Sequence, residues 1–462
     1  MSATARAGVE VVAIDTPALG DRSYLAHDGD VALVVDPQRD IDRVLEPAAA
    51  RGVRITHVFE THLHNDYVTG GLALARATGA AYHVNAADPV TFDRVAVSDR
   101  DMIEVSAVMR VRVLTSPGHT FTHLAYVLEA AGHPHAVFTG GSLLYGSTGR
   151  PDLLGRAHAD ELARAQFASA HRLAAELPQD ADIYPTHGFG SFCSATQSEG
   201  SSSTIGREMR VNPALTLGED AYVETLLAGL DAYPAYYAHM GPANAAGPSR
   251  PDLSPPRHAE AAEIRRRVEA GEWVVDLRAR RAFVAGTLSF DLDGSFATSL
   301  GWLIPWGTPL TLLGHTPEQV AEAQRELVRI GIDRPAAAAA GSPGTWAGGR
   351  ALRSYPVADF ADLESVRRHR PVVILDVRRD QEWNDSHITG AVHIPIHELP
   401  SRLADVPDGE IWVHCGAGYR ASVAASFLDA AGRTVVAVDD DYERAARAGL
   451  PLDGLVLQLA AQ

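Results

Sequence analysis

Cysteine is scarce in this chain: Cys193 and Cys415 are the only two among 462 residues. A framework of bridges is therefore excluded. One disulfide is arithmetically available, but two free thiols in a reducing compartment are the expected state. Long apolar runs are also missing. No stretch of about twenty apolar residues is there to cross a bilayer as a helix. The first residues, 1–6, lead into Val9-Glu10-Val11-Val12-Ala13-Ile14, a predicted strand, and not into the apolar core of a signal peptide. A cytoplasmic location without a membrane partner is expected. Positive charge is in deficit: 40 Lys and Arg against 58 Asp and Glu give a net charge of −18, which disfavours nucleic acid and anionic lipid as partners. What remains is a globular composition, 46% hydrophobic and 21% charged, in a chain long enough for about three domains.

The chemistry concentrates first at Thr61-His62-Leu63-His64-Asn65-Asp66-Tyr67. The run 55–59 before it is apolar and β-branched, a predicted buried strand, and residues 72–77 after it have helical character. Two imidazoles and a carboxylate on a rigid strand end are what a metal site needs; a His-rich polar loop is the plain structural alternative. Short strand-like runs alternate with helical ones as far as Pro185. Strands are predicted at 31–35, 109–114, 124–128, 136–139 and 183–186, and a helix over 41–50. The turn Thr115-Ser116-Pro117-Gly118-His119-Thr120 presents His119 at a strand end, and Pro185-Thr186 delivers His187 in the same way.

Taken in order, His62-x-His64-x-Asp66, Ser116-Pro117-Gly118-His119-Thr120, Phe138-Thr139-Gly140 and Pro185-Thr186-His187 resemble the motifs of the metallo-β-lactamase superfamily. The resemblance covers residues 8–245 and implies an αββα sandwich with metal at one sheet edge. Gly149-Arg150-Pro151-Asp152-Leu153 is similar to the Gly-Arg-Thr-Asp segment of the persulfide dioxygenase branch. Carried over, the resemblance implies ligands drawn from His62, His64, Asp66, His119 and His187, holding one divalent metal, Fe(II) or Zn(II). Two departures alter the site. Tyr67 stands where the family's loop ends in histidine, and Gly141 stands where the family has a metal-binding aspartate. The iron site of the dioxygenases thus keeps His62 and His119 but loses its carboxylate. The first zinc site of the hydrolases, His62, His64 and His119, is complete, whereas the second lacks two of its four ligands. A single metal on His62, His64 and His119 is expected. Asp66, water, a Tyr67 phenolate or His123 are the candidates for the position that Asp would fill, although His123 is better read as a packed or solvent-facing residue. Cys193 is read as a small buried structural thiol, with receipt of sulfur near the metal as its other role. Residues 194–204 read as a Ser-rich loop over the pocket.

Residues 241–256, rich in Pro, Gly and Ala, read as a linker. Beyond it Val-Asp-Leu-Arg at 275–278 and Leu-Asp-Val-Arg at 375–378 suggest an internal duplication. Both copies resemble rhodanese domains, at 257–352 and 355–462, so the expected fold class is α/β: the αββα sandwich followed by two rhodanese-like α/β domains. In the second copy the predicted strand 411–414 runs into Cys415-Gly416-Ala417-Gly418-Tyr419-Arg420 and a helix, similar to the rhodanese loop Cys-x4-Arg. A loop of backbone N–H groups on a helix N-terminus, with Arg420 as a fixed cation, stabilises a thiolate or persulfide anion and makes Cys415 the expected nucleophile. The first copy has Gly314-His315 and no cysteine there, so it is expected to be a scaffold. The Ala-rich run 336–340 reads as a degraded strand or loop.

The combination resembles persulfide dioxygenase–rhodanese fusions. It implies sulfur transfer through a Cys415 persulfide to or from a low-molecular-weight thiol, coupled to metal-dependent oxidation of a thiol persulfide. A mononuclear zinc hydrolase of a thioester-type substrate, and a metal-free scaffold carrying an active rhodanese, are the alternatives. How many chains assemble is left open, a homo-oligomer included.

Overall fold

The computed structural model describes residues 3–6, 8–195, 200–279 and 282–454. Residues 196–199 of the Ser-rich loop and 455–462 of the last predicted domain lie outside the described residues. Two compact units emerge: residues 1–252 with 325–333, and residues 253–324 with 334–462.

The first unit is built on two sheets. One has seven strands, in chain order Ala3–Arg6, Val9–Thr16, Asp21–His27, Val31–Val35, Arg54–Phe59, Ala81–Asn85 and Val95–Val97, antiparallel at first and parallel from Val31–Val35 onward. The other has six, in spatial order Ser203–Thr204, Asp182–Pro185, His133–Gly140, Leu124–Ala130, Met109–Thr115 and Met102–Glu104. Period-two alternation sets the layers. Leu33 and Val35 join Tyr24, Phe59, Val111, Val113, Tyr126 and Phe138 in the core between the sheets. Ala32 and Val34 turn to the other face, against Val44 and Ala48 of the helix Asp42–Arg51 and Leu72 and Leu74 of Gly71–Thr78. Ala163, Ala170 and Leu173 of the helix Ala159–Glu176 cover the second sheet. The result is an αββα sandwich. Its strands end in the loops that carry His62, His119, Gly141 and His187.

In the second unit two parallel sheets repeat one arrangement. The first orders Leu288–Ser289, Trp273–Asp276, Leu310–Gly314 and Ala337–Ala340; the second orders Val357–Ala358, Thr434–Val438, Glu410–His414, Val373–Asp376 and Val392–His393. Asp276 takes a bidentate pair from Arg278 at 2.8 and 2.7 Å, and one hundred residues later Asp376 takes one from Arg378 at 3.0 and 2.6 Å. In this alignment His315 stands where Cys415 does. The Ala-rich run forms an edge strand, Ala337–Ala340, because its small side chains pack into the core with Ile264, Val274 and Leu313.

The predicted linker differs from the structure. Its first part belongs to a helix, Tyr237–Ala246, despite Pro242 within it. Tertiary bonding accounts for this: the buried Asn244 donates from Nδ2 to the carbonyls of His64 and Tyr67, both at 2.9 Å, and accepts the Thr69 N–H at 2.9 Å.

Candidate functional site

In the first unit the predicted residues His62, His64, Asp66, His119 and His187 come together in one fully buried cluster. Each of four rings ties one nitrogen to the fold and leaves the other for the cluster. His62 Nδ1 meets Thr61 Oγ1 at 2.9 Å. His119 Nδ1–H donates to the Arg150 carbonyl at 2.9 Å, and its buried Nε2 has no partner. His187 Nδ1 lies 2.9 Å from Asp21 and 3.2 Å from Asp66, while its Nε2 is 3.4 Å from His62 Nε2. His64 turns Nε2 to Tyr67 OH at 2.9 Å and to Asp36 and Glu60, each at 3.3 Å, leaving Nδ1 unpaired and 4.0 Å from Asp66 Oδ1. Carboxylates behind an imidazole, with the opposite nitrogen bare, are the arrangement that orients histidine toward a metal.

Among the described residues the ligand-type groups whose donor atoms lie within 4.8 Å of one another are His62–His64–His187, His119–His187–Cys193, Asp21–Asp66–His187 and Asp36–Glu60–His64. The first keeps two of the three residues expected to hold a single metal. His119 groups instead with His187 and Cys193. The buried, unpaired His119 Nε2, His64 Nδ1 and Asp66 oxygens form a donor set that suits a borderline divalent cation, so the residues present fit such an ion.

Electrostatics follow from burial. Desolvation and then the neighbouring His187 push His119 down to about 3, and burial holds His62 and His123 well below the ordinary imidazole value. Burial opposes charge on His64 too, but Asp36 and Glu60 outweigh it and raise the ring to about 10. Asp21 and Asp66 share His187: burial and the charge of Asp66 push Asp21 up to about 8, while His187 holds Asp66 low against the effect of burial. Two buried carboxylates on one imidazolium do not both stay ionised.

Two suggested substitutes for the missing carboxylate are excluded by position. Tyr67 cannot ligate as a phenolate, because its hydroxyl lies behind His64 and is pushed well above its ordinary range by burial and by Asp36. His123 is fully engaged: its ring meets Ser116 Oγ through Nδ1 and accepts the Gly141 N–H at Nε2, both at 2.9 Å. It is a packed residue. At Gly141 itself a Cβ would sit 2.6 Å from His119 Cγ, so the imidazole fills the space a side chain would need.

Sequence reasoning missed Asp36, Glu60 and Asp21. Asp36 is the clearest. It follows the strand Val31–Val35 with φ 50, and its carboxylate accepts the Thr61 N–H and hydroxyl, both at 2.7 Å, together with the Thr186 hydroxyl. A buried acid in the left-handed region at a strand end is where strain gathers around a site. The dipeptide Asp36-Pro37 was the available signal.

In the second unit Cys415 is buried directly after the strand Glu410–His414. Gly418 turns the loop at φ 89 into the helix Tyr419–Ala430, which takes Arg420 into its first turn. The Tyr442 N–H donates to the Gly416 carbonyl at 2.8 Å, and Ala417 bridges Asp441, so the segment 439–442 braces the loop. Arg420 donates twice to Glu382, at 2.6 and 2.7 Å. Burial opposes the guanidinium charge, and Glu382 raises it. Burial likewise opposes the Glu382 charge, and Arg420 then holds that carboxylate down to about 2. A cavity of about 590 Å³ opens beside Ala417, Gly418 and Tyr419, rimmed by Asp291, Asp293 and Asp439. Both cysteines are free.

Residues 19–187 match the metallo-beta-lactamase superfamily and residues 360–448 the rhodanese-like domain. The chain carries a metallo-β-lactamase domain and a rhodanese-like domain. Hydroxyacylglutathione hydrolase from Polaromonas sp. strain JS666 is 32% identical over 161 residues, covering 34% of this chain and 57% of the relative. The mitochondrial persulfide dioxygenase ETHE1 of Homo sapiens is 29% identical over 226 residues, 45% of this chain and 74% of the relative. The crystal structure of a metallo-beta-lactamase from Staphylococcus aureus subsp. aureus COL aligns with a TM-score of 0.64 at 25% identity, over 72% of this chain and 100% of that one. The chain spans 57% of the length of the first curated relatives it matches. No helix among the described residues is long and apolar enough to cross a membrane.

Proposed function

We propose that the chain is a sulfur-handling enzyme in which Cys415 carries sulfane sulfur as a persulfide and the metallo-β-lactamase domain oxidises a thiol persulfide at a single metal. The observation that carries the reading is the pairing, on one chain, of the buried four-histidine cluster with the Cys415–Arg420 loop. We read residues 8–245, 257–352 and 355–462 as the three functional domains, with the middle one a scaffold, and the working place as the cytoplasm.

At the second site Cys415 attacks the outer sulfur of a donor. The donor's sulfur–sulfur bond breaks, the donor thiolate leaves, and Cys415 holds the sulfur until an acceptor thiolate takes it by the reverse step. No electrons are gained or lost overall. Arg420, fixed by Glu382, supplies a cation close to the loop for the anion formed. At the first site His62, His64 and His187, with His119 and Asp66 around them, would hold Fe(II). When bound, that ion supplies open positions at which oxygen and a persulfide meet. The buried donors exclude bulk water, and the carboxylates of Asp36, Glu60 and Asp21 orient His64 and His187. The net change converts a thiol persulfide anion, one oxygen molecule and one water into the thiol, sulfite and a proton. The substrate is a low-molecular-weight thiol persulfide, in keeping with the relatives named for persulfide and acylglutathione chemistry.

The three-imidazole set also suits zinc, which supports a second reading, hydrolysis of a thioester-type substrate by metal-activated water. Elemental analysis of anaerobically purified protein, beside H62A, separates the readings. About one iron per chain, lost in H62A, with oxygen uptake on a thiol persulfide, supports the oxidation. One zinc without oxygen uptake transfers the conclusion to the hydrolase. No metal leaves only the Cys415 sulfurtransferase.

A further inference from the structure

We infer that Cys193 is a ligand of the metal in the first domain, its thiolate replacing the anionic donor that residue 141 does not supply. This rests on the reading of that domain as a metal enzyme and deepens it.

Four observations converge. Cys193 Sγ and ring nitrogens of His119 and His187 lie within 4.8 Å of one another, and all three residues are fully buried. Donors held about 2.0–2.3 Å from a tetrahedral ion stand roughly 3.3–3.8 Å apart, so side-chain rotation closes the set. His119, which contributes a ring nitrogen to this group, has its buried Nε2 without a partner. His62 Nε2, 3.4 Å from His187 Nε2, adds a third imidazole.

The thiol and the missing carboxylate are also linked through one loop. Gly149 donates its N–H to the Gly141 carbonyl at 2.8 Å, Arg150 donates to the Cys193 carbonyl at 2.8 Å, and the Arg150 carbonyl accepts from His119. Ala195 N–H closes on Thr148 O at 3.0 Å, and Gly149 bridges Ser194. A side chain at 141 would drive His119 out of this frame, whereas Cys193 reaches the same cluster from the opposite strand of the loop.

Charge supplies the remaining argument. A divalent ion in a buried site is stabilised by anionic donors, and Cys193 would add a thiolate to the one carboxylate of the cluster, Asp66, whose Oδ2 lies 3.2 Å from His187 Nδ1. Thiolate is a soft donor that favours zinc and iron over calcium or magnesium. On metal binding the S–H bond breaks, the metal–sulfur bond forms, and the proton passes to solvent; nothing is oxidised.

Cobalt(II) tests this without turnover. The full chain carrying C415S, in which Cys193 is the only thiol, is freed of metal by chelation and titrated anaerobically with Co(II). The expected result is one ion per chain, with visible d–d bands and a near-ultraviolet sulfur-to-cobalt charge-transfer band. In C193A/C415S the charge-transfer band should vanish while the d–d bands persist, and Co(II) affinity should fall about tenfold or more. If C193A does not fold, judged by near-ultraviolet circular dichroism, C193S in the same background gives the same reading. Visible bands without charge transfer in C415S would overturn the inference and leave the metal reading standing. No bound Co(II) in the unsubstituted chain would overturn both.

Discussion

At the scale of single residues, the two sites are set by what stands behind the reacting groups. Arg420 does not act as a free cation: the two hydrogen bonds it donates to Glu382 fix its plane beside the Cys415 loop. E382Q should keep the fold and lower sulfur transfer from thiosulfate about 10- to 100-fold, mainly in kcat, because the cation loses its position and not its charge. The same carboxylate has a pH signature. Burial opposes its charge, but Arg420 holds it at about 2 in place of 4.5. Its stabilising contribution is therefore complete above pH about 4.5 and is lost as the pH falls toward 2. Acid unfolding followed by circular dichroism should show a slope in that window which E382Q reduces. A slope equal in both proteins would place the ionisation elsewhere. The sequence marked Cys415, Arg420 and the histidines of the cluster. It did not mark Glu382, because a carboxylate 38 residues before its partner has no local signal.

At the scale of elements, the loop of residues 61–67 is held from outside by the helix Tyr237–Ala246. Asn244 caps it with three bonds, to His64 O, Tyr67 O and Thr69 N. N244A leaves those buried groups without partners, which costs about 2–4 kcal/mol and lowers metal affinity through a looser His64. Thermal unfolding together with Co(II) titration measures both effects; a change in stability alone would confine Asn244 to the fold. Strand periodicity made the sandwich legible, since alternation at 109–114 and the apolar runs at 31–35 and 124–128 correspond to the strands Met109–Thr115, Val31–Val35 and Leu124–Ala130. The helix Tyr237–Ala246 was not legible. Its Gly, Pro and Ala content signals a linker, and only the bonds of Asn244 make it an element of the site.

At the scale of the whole molecule, the function proposed above places two sulfur-handling sites on one chain, which would raise the effective concentration of an intermediate passing between them. Variants H62A and C415S, each defective at one site, should therefore complement poorly when mixed in dilute solution. Recovery should rise with protein concentration, whereas the unsubstituted chain should be independent of it. Sulfite and thiosulfate production from a thiol persulfide reads the outcome, and full complementation at the lowest concentration would show that the intermediate diffuses freely. The second unit repeats the Asp–Arg pair in both copies, at 276–278 and 376–378, while the residue after the strand Glu410–His414 is Cys415 in one and the residue after Leu310–Gly314 is His315 in the other.

The amino-acid sequence by itself determined the alternation of strands and helices, the order of the histidine motifs and the cysteine loop, because these are local: hydrophobic period, turn residues and residues a few positions apart. The tertiary structure alone decided which nitrogen of each histidine faces the cluster, that Tyr67 lies behind His64, that His119 occupies the space beside Gly141, and that Cys193 stands within reach of His119 and His187. Those outcomes depend on packing between strands distant in sequence. A buried polar atom takes whichever partner the fold brings to it, and no local pattern records that choice.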